Sequence, residues 1–300
     1  MTDIIIIGAG PAGLTAAIYA RRAGKEVIIL EGLAYGGMIV NAKDVENYPG
    51  FKNISGFDLA TNLYNQVIDL GAKVIYEKAF KIEDLGKTKK VITNDYEYEA
   101  KAVIIATGVQ NRKLGLKNED KLLGKGLSYC ATCDGAFYKN KIVSVIGGGN
   151  TAVADALFLS EYCKKVYVIY RKDKVRGDKI VVNKLEKKDN VEFIYNTVVT
   201  EIIGNEKLEK IEILNNKTDK RELIDMDGLF VAIGQEPSNN NFSNLIKMDD
   251  KGYIIADESC HTNIKGIYVA GDTRVKEVRQ LTTATSDGTI AALNAIKEMD

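Results

Sequence analysis

Residues 4–13 read Ile4-Ile5-Ile6-Ile7-Gly8-Ala9-Gly10-Pro11-Ala12-Gly13. Four β-branched residues in a row predict a strand buried on both faces, as in the middle of a parallel sheet. The glycines then permit a tight turn, and the Ala-rich run from Leu14 to Ala23 predicts a helix. After Gly24 comes a second strand, Glu26 to Leu30, closed by Glu31 and Gly32. A bare glycine motif is weak. Strand, glycine turn, helix, strand and acid in this order make the fingerprint of a dinucleotide-binding unit. Gly8, Gly10 and Gly13 let backbone N–H groups approach a pyrophosphate, and the helix start at Pro11-Ala12 adds positive potential. Glu31 is placed to accept from ribose hydroxyls.

The pattern returns further along. Lys141 to Ile146 leads into Gly147-Gly148-Gly149-Asn150-Thr151-Ala152, an apolar helix from Ala154 to Tyr162, and a strand from Val166 to Tyr170. Where the first unit carries Glu31, the second carries Tyr170-Arg171-Lys172 and then Arg176. Cations there suit a 2′-phosphate, whereas an acid suits a free 2′-hydroxyl. The first site therefore reads as one for FAD and the second as one for NADPH; the plain alternative for the basic stretch is a solvated loop.

Both units continue alike. Val74 to Tyr98 has the alternation of a β-meander, followed by a return strand ending in Ala106-Thr107-Gly108. Residues 191–225 read as short strands with polar turns, followed by Gly228 to Ile233-Gly234. This internal repeat predicts an α/β chain of two Rossmann-like, three-layer (ββα) nucleotide-binding domains. A strand ending in Gly271-Asp272 and a helix from Gln280 to Met299 return to the first domain, so the second is inserted into it. The expected division is 1–112 with 242–300 for FAD, and 113–241 for NAD(P)H, with the Lys-, Leu- and Gly-rich residues 112–128 as a hinge. Asp272 is placed to accept from a ribityl hydroxyl, and the helix start near Arg279, Gln280 and Leu281 to offer N–H groups to a flavin carbonyl. Gly36-Gly37-Met38 and Val45 to Phe51, with Asn47, are turn-rich loops that either hold the far end of a large cofactor or merely connect. An amphipathic helix is expected over 57–71.

Between the two fingerprints lies Tyr129-Cys130-Ala131-Thr132-Cys133-Asp134. Two thiols three positions apart can cycle between dithiol and disulfide, and the carboxylate beside the second is placed to protonate a thiolate leaving group. The competing reading is half of a zinc site. Zinc needs about four ligands, and only Cys163, Cys260 and His261 remain, without ligand spacing. No metal is expected. Cys163 is expected as a small core residue in the apolar helix. Adjacent Cys260 and His261 rarely face each other on a regular element, so no role is assigned to them.

The bulk numbers narrow the setting. With 300 residues the chain suits two ordinary domains. Lys+Arg and Asp+Glu are equal at 41 each, so no net field favours nucleic acid or an anionic membrane as partner. No signal-peptide pattern and no membrane-length apolar run are visible, and four cysteines do not make a secreted disulfide scaffold. A cytoplasmic protein is the expectation.

Taken together, Gly8-x-Gly10-x-x-Gly13, Val45 to Phe51, Ala106-Thr107-Gly108, Cys130-Ala131-Thr132-Cys133-Asp134, Gly147-x-Gly149-x-x-Ala152, Arg171 to Arg176, and Ala270-Gly271-Asp272 with Arg279-Gln280 closely resemble the low-molecular-weight thioredoxin reductases. The likeness covers essentially the whole chain. It implies a homodimer with FAD, NADPH as electron donor and oxidised thioredoxin as acceptor. It also implies that Cys133 faces the flavin, Cys130 attacks thioredoxin and Asp134 supplies the proton. Three stretches depart from the family pattern: Tyr170-Arg171-Lys172 stands for His-Arg-Arg, Met38 for Gln, and Thr285-Ser286 for a small Ala-Gly pair. Lys172 lacks the guanidinium fork that grips phosphate bidentately, which leaves NADH open as a donor.

Overall fold

The computed structural model describes every residue except Lys43 and Asp300, and every side chain except also those of Asn41 and Cys133. The chain divides into two units: Met1–Gln110 with Glu236–Asp300, and Asn111–Gln235.

The first unit begins with β1 (Thr2–Ile7), α1 (Pro11–Arg22), β2 (Val27–Leu30), α2 (Gly56–Asp69) and β3 (Lys73–Ile75). The antiparallel meander β4 (Ala79–Asp84), β5 (Lys89–Thr93) and β6 (Glu97–Ile105) follows. β6 does two jobs. Its first half pairs antiparallel with β5, and its second half runs parallel to β1.

Chain crossing to the second unit takes place in β7 (Val109–Asn111). There follow α3 (Glu119–Leu122), β8 (Leu127–Ser128), α4 (Ala131–Asp134), β9 (Ile142–Ile146), α5 (Asn150–Ser160), β10 (Lys165–Tyr170), α6 (Lys179–Leu185) and β11 (Val191–Tyr195). An antiparallel set, β12 (Thr197–Ile203), β13 (Lys210–Asn215) and β14 (Arg221–Asp225), precedes β15 (Gly228–Val231). The chain crosses back in β16 (Gln235–Pro237), which pairs with β7, and closes the first unit with β17 (Ile267–Val269) and α7 (Leu281–Met299).

The sequence dictates the layering through the two-residue period of a strand. On β1, Ile4 and Ile6 join a core with α1 and α7, while Ile5 and Ile7 join a second core with the meander residues Ile82 and Val91. β6 alternates likewise: Ala102 and Ile104 face the helices, Val103 and Ile105 the meander. Each of these isoleucines is wholly or almost wholly buried, and each contributes roughly 1.5–3 kcal/mol. Small residues let α1 and α7 approach closely; a Cβ on Gly288 would lie 2.2 Å from the Ala12 carbonyl oxygen.

The second unit repeats the scheme. Its parallel sheet runs β11-β10-β9-β15-β8. Val143, Val145, Val166 and Val168 pack on α5, and Ile146, Ile169, Leu229 and Val231 pack toward β12 and β13. The repeat reaches atomic detail. A Cβ on Gly8 would lie 2.4 Å from the Ala106 oxygen, and one on Gly147 2.3 Å from the Ala232 oxygen. In both units the first strand runs hard against the return strand at its glycine turn.

Within residues 112–128, buried Glu119 accepts from the backbone N–H of Leu114 and Gly115 at 2.8 Å and from the Tyr129 hydroxyl at 2.7 Å. Two expectations change. Residues 236–241 belong to the first unit rather than the inserted one, since the Asn239 amide donates to the Gly252 and Thr273 carbonyls. Cys163 lies past the end of α5, not in it, with its N–H bonded to the Leu159 carbonyl.

Candidate functional site

In the first unit the elements deliver their chemistry to the C-terminal ends of β1, β2, β6 and β17. Gly8 needs glycine twice over: its φ is +108°, and a side chain there would strike Ala106. The turn opens α1 at Gly10, and α1 has no side-chain cap, whereas Ser55 caps α2 through the Asp58 N–H. An uncapped helix N-terminus beside a glycine turn presents free N–H groups and a positive dipole end to an anion. Glu31 stands at the end of β2. One of its oxygens accepts from the Ala9 N–H at 2.8 Å and the other from the Leu33 N–H at 2.9 Å, which fixes the carboxylate beside the glycine turn.

Across the turn, Gly36 donates its N–H to the Ala9 carbonyl at 2.7 Å, which brings the Gly36-Gly37-Met38 loop against Gly10. Asn47 reaches Gln280, its amide donating to Oε1 at 3.4 Å. Thr107 hydrogen bonds to Asn239 at 2.9 Å and to Thr273 at 2.8 Å. Asn239 is wholly buried, and no motif announced it.

Asp272, at the end of β17, supplies the test of fit. Its Oδ1 is buried without a hydrogen-bond partner among the described residues, and burial pushes its carboxyl above the ordinary range. A buried acceptor left unmatched costs about 1–3 kcal/mol unless a donor arrives. A ribityl hydroxyl is such a donor, and together with the uncapped α1 and the fixed Glu31 the residues fit FAD.

The Arg279 side chain is held within its own loop. Its guanidinium folds back to the carbonyls of Asp272 and Arg274 and stacks over Tyr253 at 4.2 Å. It braces the loop that carries Asp272. Behind that loop, Asp287 of α7 accepts from the Gly271 N–H at 3.0 Å and pairs with Arg274 at 2.9 Å and Lys276 at 2.8 Å. All three charged side chains are buried. Sequence reading missed this cluster; an acid in an Ala-rich helix, with two cations 13 and 11 positions before it, was the available signal.

The second unit carries the other two groups of candidates. α5 opens at Gly149 without a side-chain cap, while Asp178 caps α6. Asn150 and Thr151 on its first turn are exposed, as are Arg171, Lys172 and Arg176. Tyr170 is buried, and its ring covers Gly148, where a Cβ would lie 2.5 Å from the ring carbons. Its hydroxyl accepts from Arg176 Nε at 3.2 Å, and the Arg176 N–H donates to the Gly148 carbonyl at 2.6 Å. The glycine turn, the strand end and the basic loop are thereby locked together. Ile233 is partly buried and Gly234 exposed at the end of the return strand.

Cys130 is disulfide-bonded and precedes α4; the side chain of Cys133 lies outside the described ones. The Asp134 N–H donates to the Cys130 carbonyl at 3.2 Å. Ser128 donates to Asp134 Oδ2 at 2.6 Å and accepts from the Cys130 N–H at 3.0 Å. Burial pushes the other thiols up, Cys163 to about 11 and Cys260 to about 12, so both stay protonated and inert. The Cys260 thiol lies 3.7 Å from the Asp287 carbonyl, while His261 pairs with Glu298 at 2.8 Å.

Comparison with known proteins agrees with this geometry. The family model described as pyridine nucleotide-disulphide oxidoreductase matches residues 2–288. A thioredoxin reductase of Listeria monocytogenes is 42% identical over 99% of this chain and 94% of its own. The crystal structure of Lactococcus lactis thioredoxin reductase superposes with a TM-score of 0.82 at 39% identity, covering 100% of this chain and 99% of that one. A ferredoxin-flavin thioredoxin reductase from Clostridium acetobutylicum gives a TM-score of 0.55 at 34% identity, covering 99% and 98%. With likeness of this extent added to two glycine-turn cradles and a disulfide-bonded cysteine before an acid, the chain belongs to the pyridine nucleotide-disulphide oxidoreductases, in their bacterial-type thioredoxin reductase branch.

Proposed function

We propose that this protein reduces thioredoxin, passing electrons from NADPH through FAD to a Cys130–Cys133 disulfide and on to the disulfide of oxidised thioredoxin. The observation that carries this reading is the placement of Cys130, in a disulfide, and Asp134 in one unit with the second glycine motif, apart from the cradle that suits FAD. FAD when bound accepts a hydride and returns electron pairs to sulfur. The chain's own residues hold and divide that chemistry. In the first unit, Gly8, Gly10, Pro11, Ala12 and Gly13 cradle the pyrophosphate, Glu31 and Gly32 take the ribose end, and Gly271-Asp272 takes the ribityl chain. In the second, Gly147 to Ala152 hold the dinucleotide, with Arg171, Lys172 and Arg176 at its 2′-phosphate. Cys133 faces the flavin, Cys130 attacks thioredoxin, and Asp134 moves the proton. The family resemblance supports a homodimer, and the dithiol chemistry supports a cytoplasmic setting.

One flavin must serve both the nicotinamide and the disulfide, and both of these belong to the inserted unit. We therefore place a rotation of that unit at its two crossings, in β7 and β16. A short crosslink tying the two units together stops steady-state thioredoxin reduction on this reading; full turnover in the tethered protein contradicts it.

The lock made by Tyr170 favours NADPH over NADH, or over a ferredoxin as named for the Clostridium acetobutylicum relative. It fixes Arg176, whose fork offsets the loss of one at Lys172. Tyr170→Phe removes one hydrogen bond to that cation. The KM for NADPH rises about two- to tenfold while the KM for NADH stays put. Steady-state kinetics with both donors, and flavin bleaching by each under anaerobic conditions, read this directly. An equal change for both donors overturns the assignment of Arg176 to the 2′-phosphate.

A further inference from the structure

We propose that Ser128 is the positioning residue for the acid of the disulfide site: its hydroxyl holds the Asp134 carboxylate against the Cys130 backbone. This rests on the reading of Asp134 as proton donor. Ser128 ends β8 and is 3% exposed, so water does not compete for its hydroxyl. A hydroxyl has one proton to give. Two acceptors lie within reach, Asp134 Oδ2 at 2.6 Å and the Cys130 carbonyl at 3.3 Å. The shorter, charge-assisted bond takes the proton. The lone pairs of the same oxygen accept the Cys130 N–H at 3.0 Å. One side chain thus ties the acid to the peptide of a reacting cysteine. α4 closes the ring of contacts, since the Asp134 N–H returns to the Cys130 carbonyl.

The chemical consequence follows from where the bond holds the acid, beside the peptide of a reacting cysteine. When a thiolate attacks the disulfide, the S–S bond breaks and its electron pair goes to the leaving sulfur. That sulfur takes its proton from the Asp134 carboxyl. With dithiothreitol as reductant, its second thiol returns a proton to Asp134 and attacks the mixed disulfide; dithiothreitol leaves as its cyclic disulfide, the sulfur it releases takes a proton from water, and the protein gains two thiols. Ser128 therefore sets the place of the acid beside the reacting cysteine.

The test uses the full-length holoprotein without nicotinamide. Dithiothreitol reduces the disulfide at fixed pH, and free thiols are trapped and counted against time. Asp134→Asn slows thiol formation about a hundredfold, and Ser128→Ala slows it about tenfold. Ser128→Thr, which restores a hydroxyl, returns the wild-type rate. Adding Ser128→Ala to Asp134→Asn slows it no further. Thermal unfolding checks that each variant is folded. If Asp134→Asn slows the reaction but Ser128→Ala does not, or if the two losses add in the double variant, the role given to Ser128 is wrong. If Asp134→Asn leaves the rate unchanged, the acid itself is misassigned and the proposal goes with it.

Discussion

Replacing Cys130 with serine lowers thioredoxin reduction by at least about a thousandfold while NADPH still bleaches the flavin at the wild-type rate. The reasoning is a division of labour between the units. Hydride delivery depends on Gly147 to Ala152, Arg171, Lys172 and Arg176, none of which the substitution touches. Delivery to protein needs a sulfur that forms a mixed disulfide with thioredoxin, and a serine hydroxyl cannot form one. Cys163 and Cys260 offer no substitute. Both are buried, and burial keeps both thiols protonated. An artificial one-step acceptor that takes electrons from the flavin keeps its rate in the variant. Loss of both activities together would mean instead that Cys130 supports the fold or the flavin.

The second large effect concerns stability. Asp287→Ala leaves Arg274 and Lys276 as buried cations without their shared carboxylate. Breaking such a cluster from one side costs about 3–5 kcal/mol. That is a fall of roughly 10 °C or more in thermal midpoint. The Gly271 N–H also loses its acceptor, so the turn that presents Asp272 loosens and FAD is retained less well through gel filtration. The pH dependence has a definite sign. Burial pushes the Asp287 carboxyl up, but hydrogen bonds from Arg274 and Lys276 more than offset this, so it lies below the ordinary 3.8. A depressed carboxylate contributes its stability above the unfolded-state value and loses it as pH falls through the folded one. The wild type therefore loses that share below about pH 4, and the alanine variant has none of it to lose. A variant within about 1 kcal/mol of wild type that keeps its flavin contradicts this account.

The nucleotide cradles were legible because their signals are local. A β-branched run, a glycine turn and a helix are contiguous at 4–23 and again at 142–160, and the alternation on β1 and β6 announced two-sided burial. The CATCD segment was equally plain, being six residues in a row with Tyr129. What escaped depends on partners distant in sequence. Thr107 and Asn239 are 132 positions apart, and nothing in either neighbourhood points to the other. Asp287 gains meaning only once α7 packs beside the loop of Arg274 and Lys276. The guanidinium of Arg279 is held by carbonyls of its own loop and the Tyr253 ring, contacts that no local pattern shows. Ser128 lies close to Asp134, but a single serine carries no pattern; only the 2.6 Å distance gives it a role. The second crossing falls at β16 rather than after residue 241, because the Asn239 amide is tied to the Gly252 and Thr273 carbonyls, partners that the local sequence does not show.

The most direct test of the electron route is an anaerobic titration of the purified flavoprotein with NADPH, following the flavin absorbance and trapping thiols. In the wild type the first equivalent of NADPH opens the disulfide through the flavin or rests on the flavin, and a second is needed to fill both, because each takes one electron pair. In Cys130→Ser a single equivalent bleaches the flavin completely. A wild-type protein that is fully bleached by one equivalent, with no new thiols to trap, would show that the disulfide lies off the path from nicotinamide to thioredoxin.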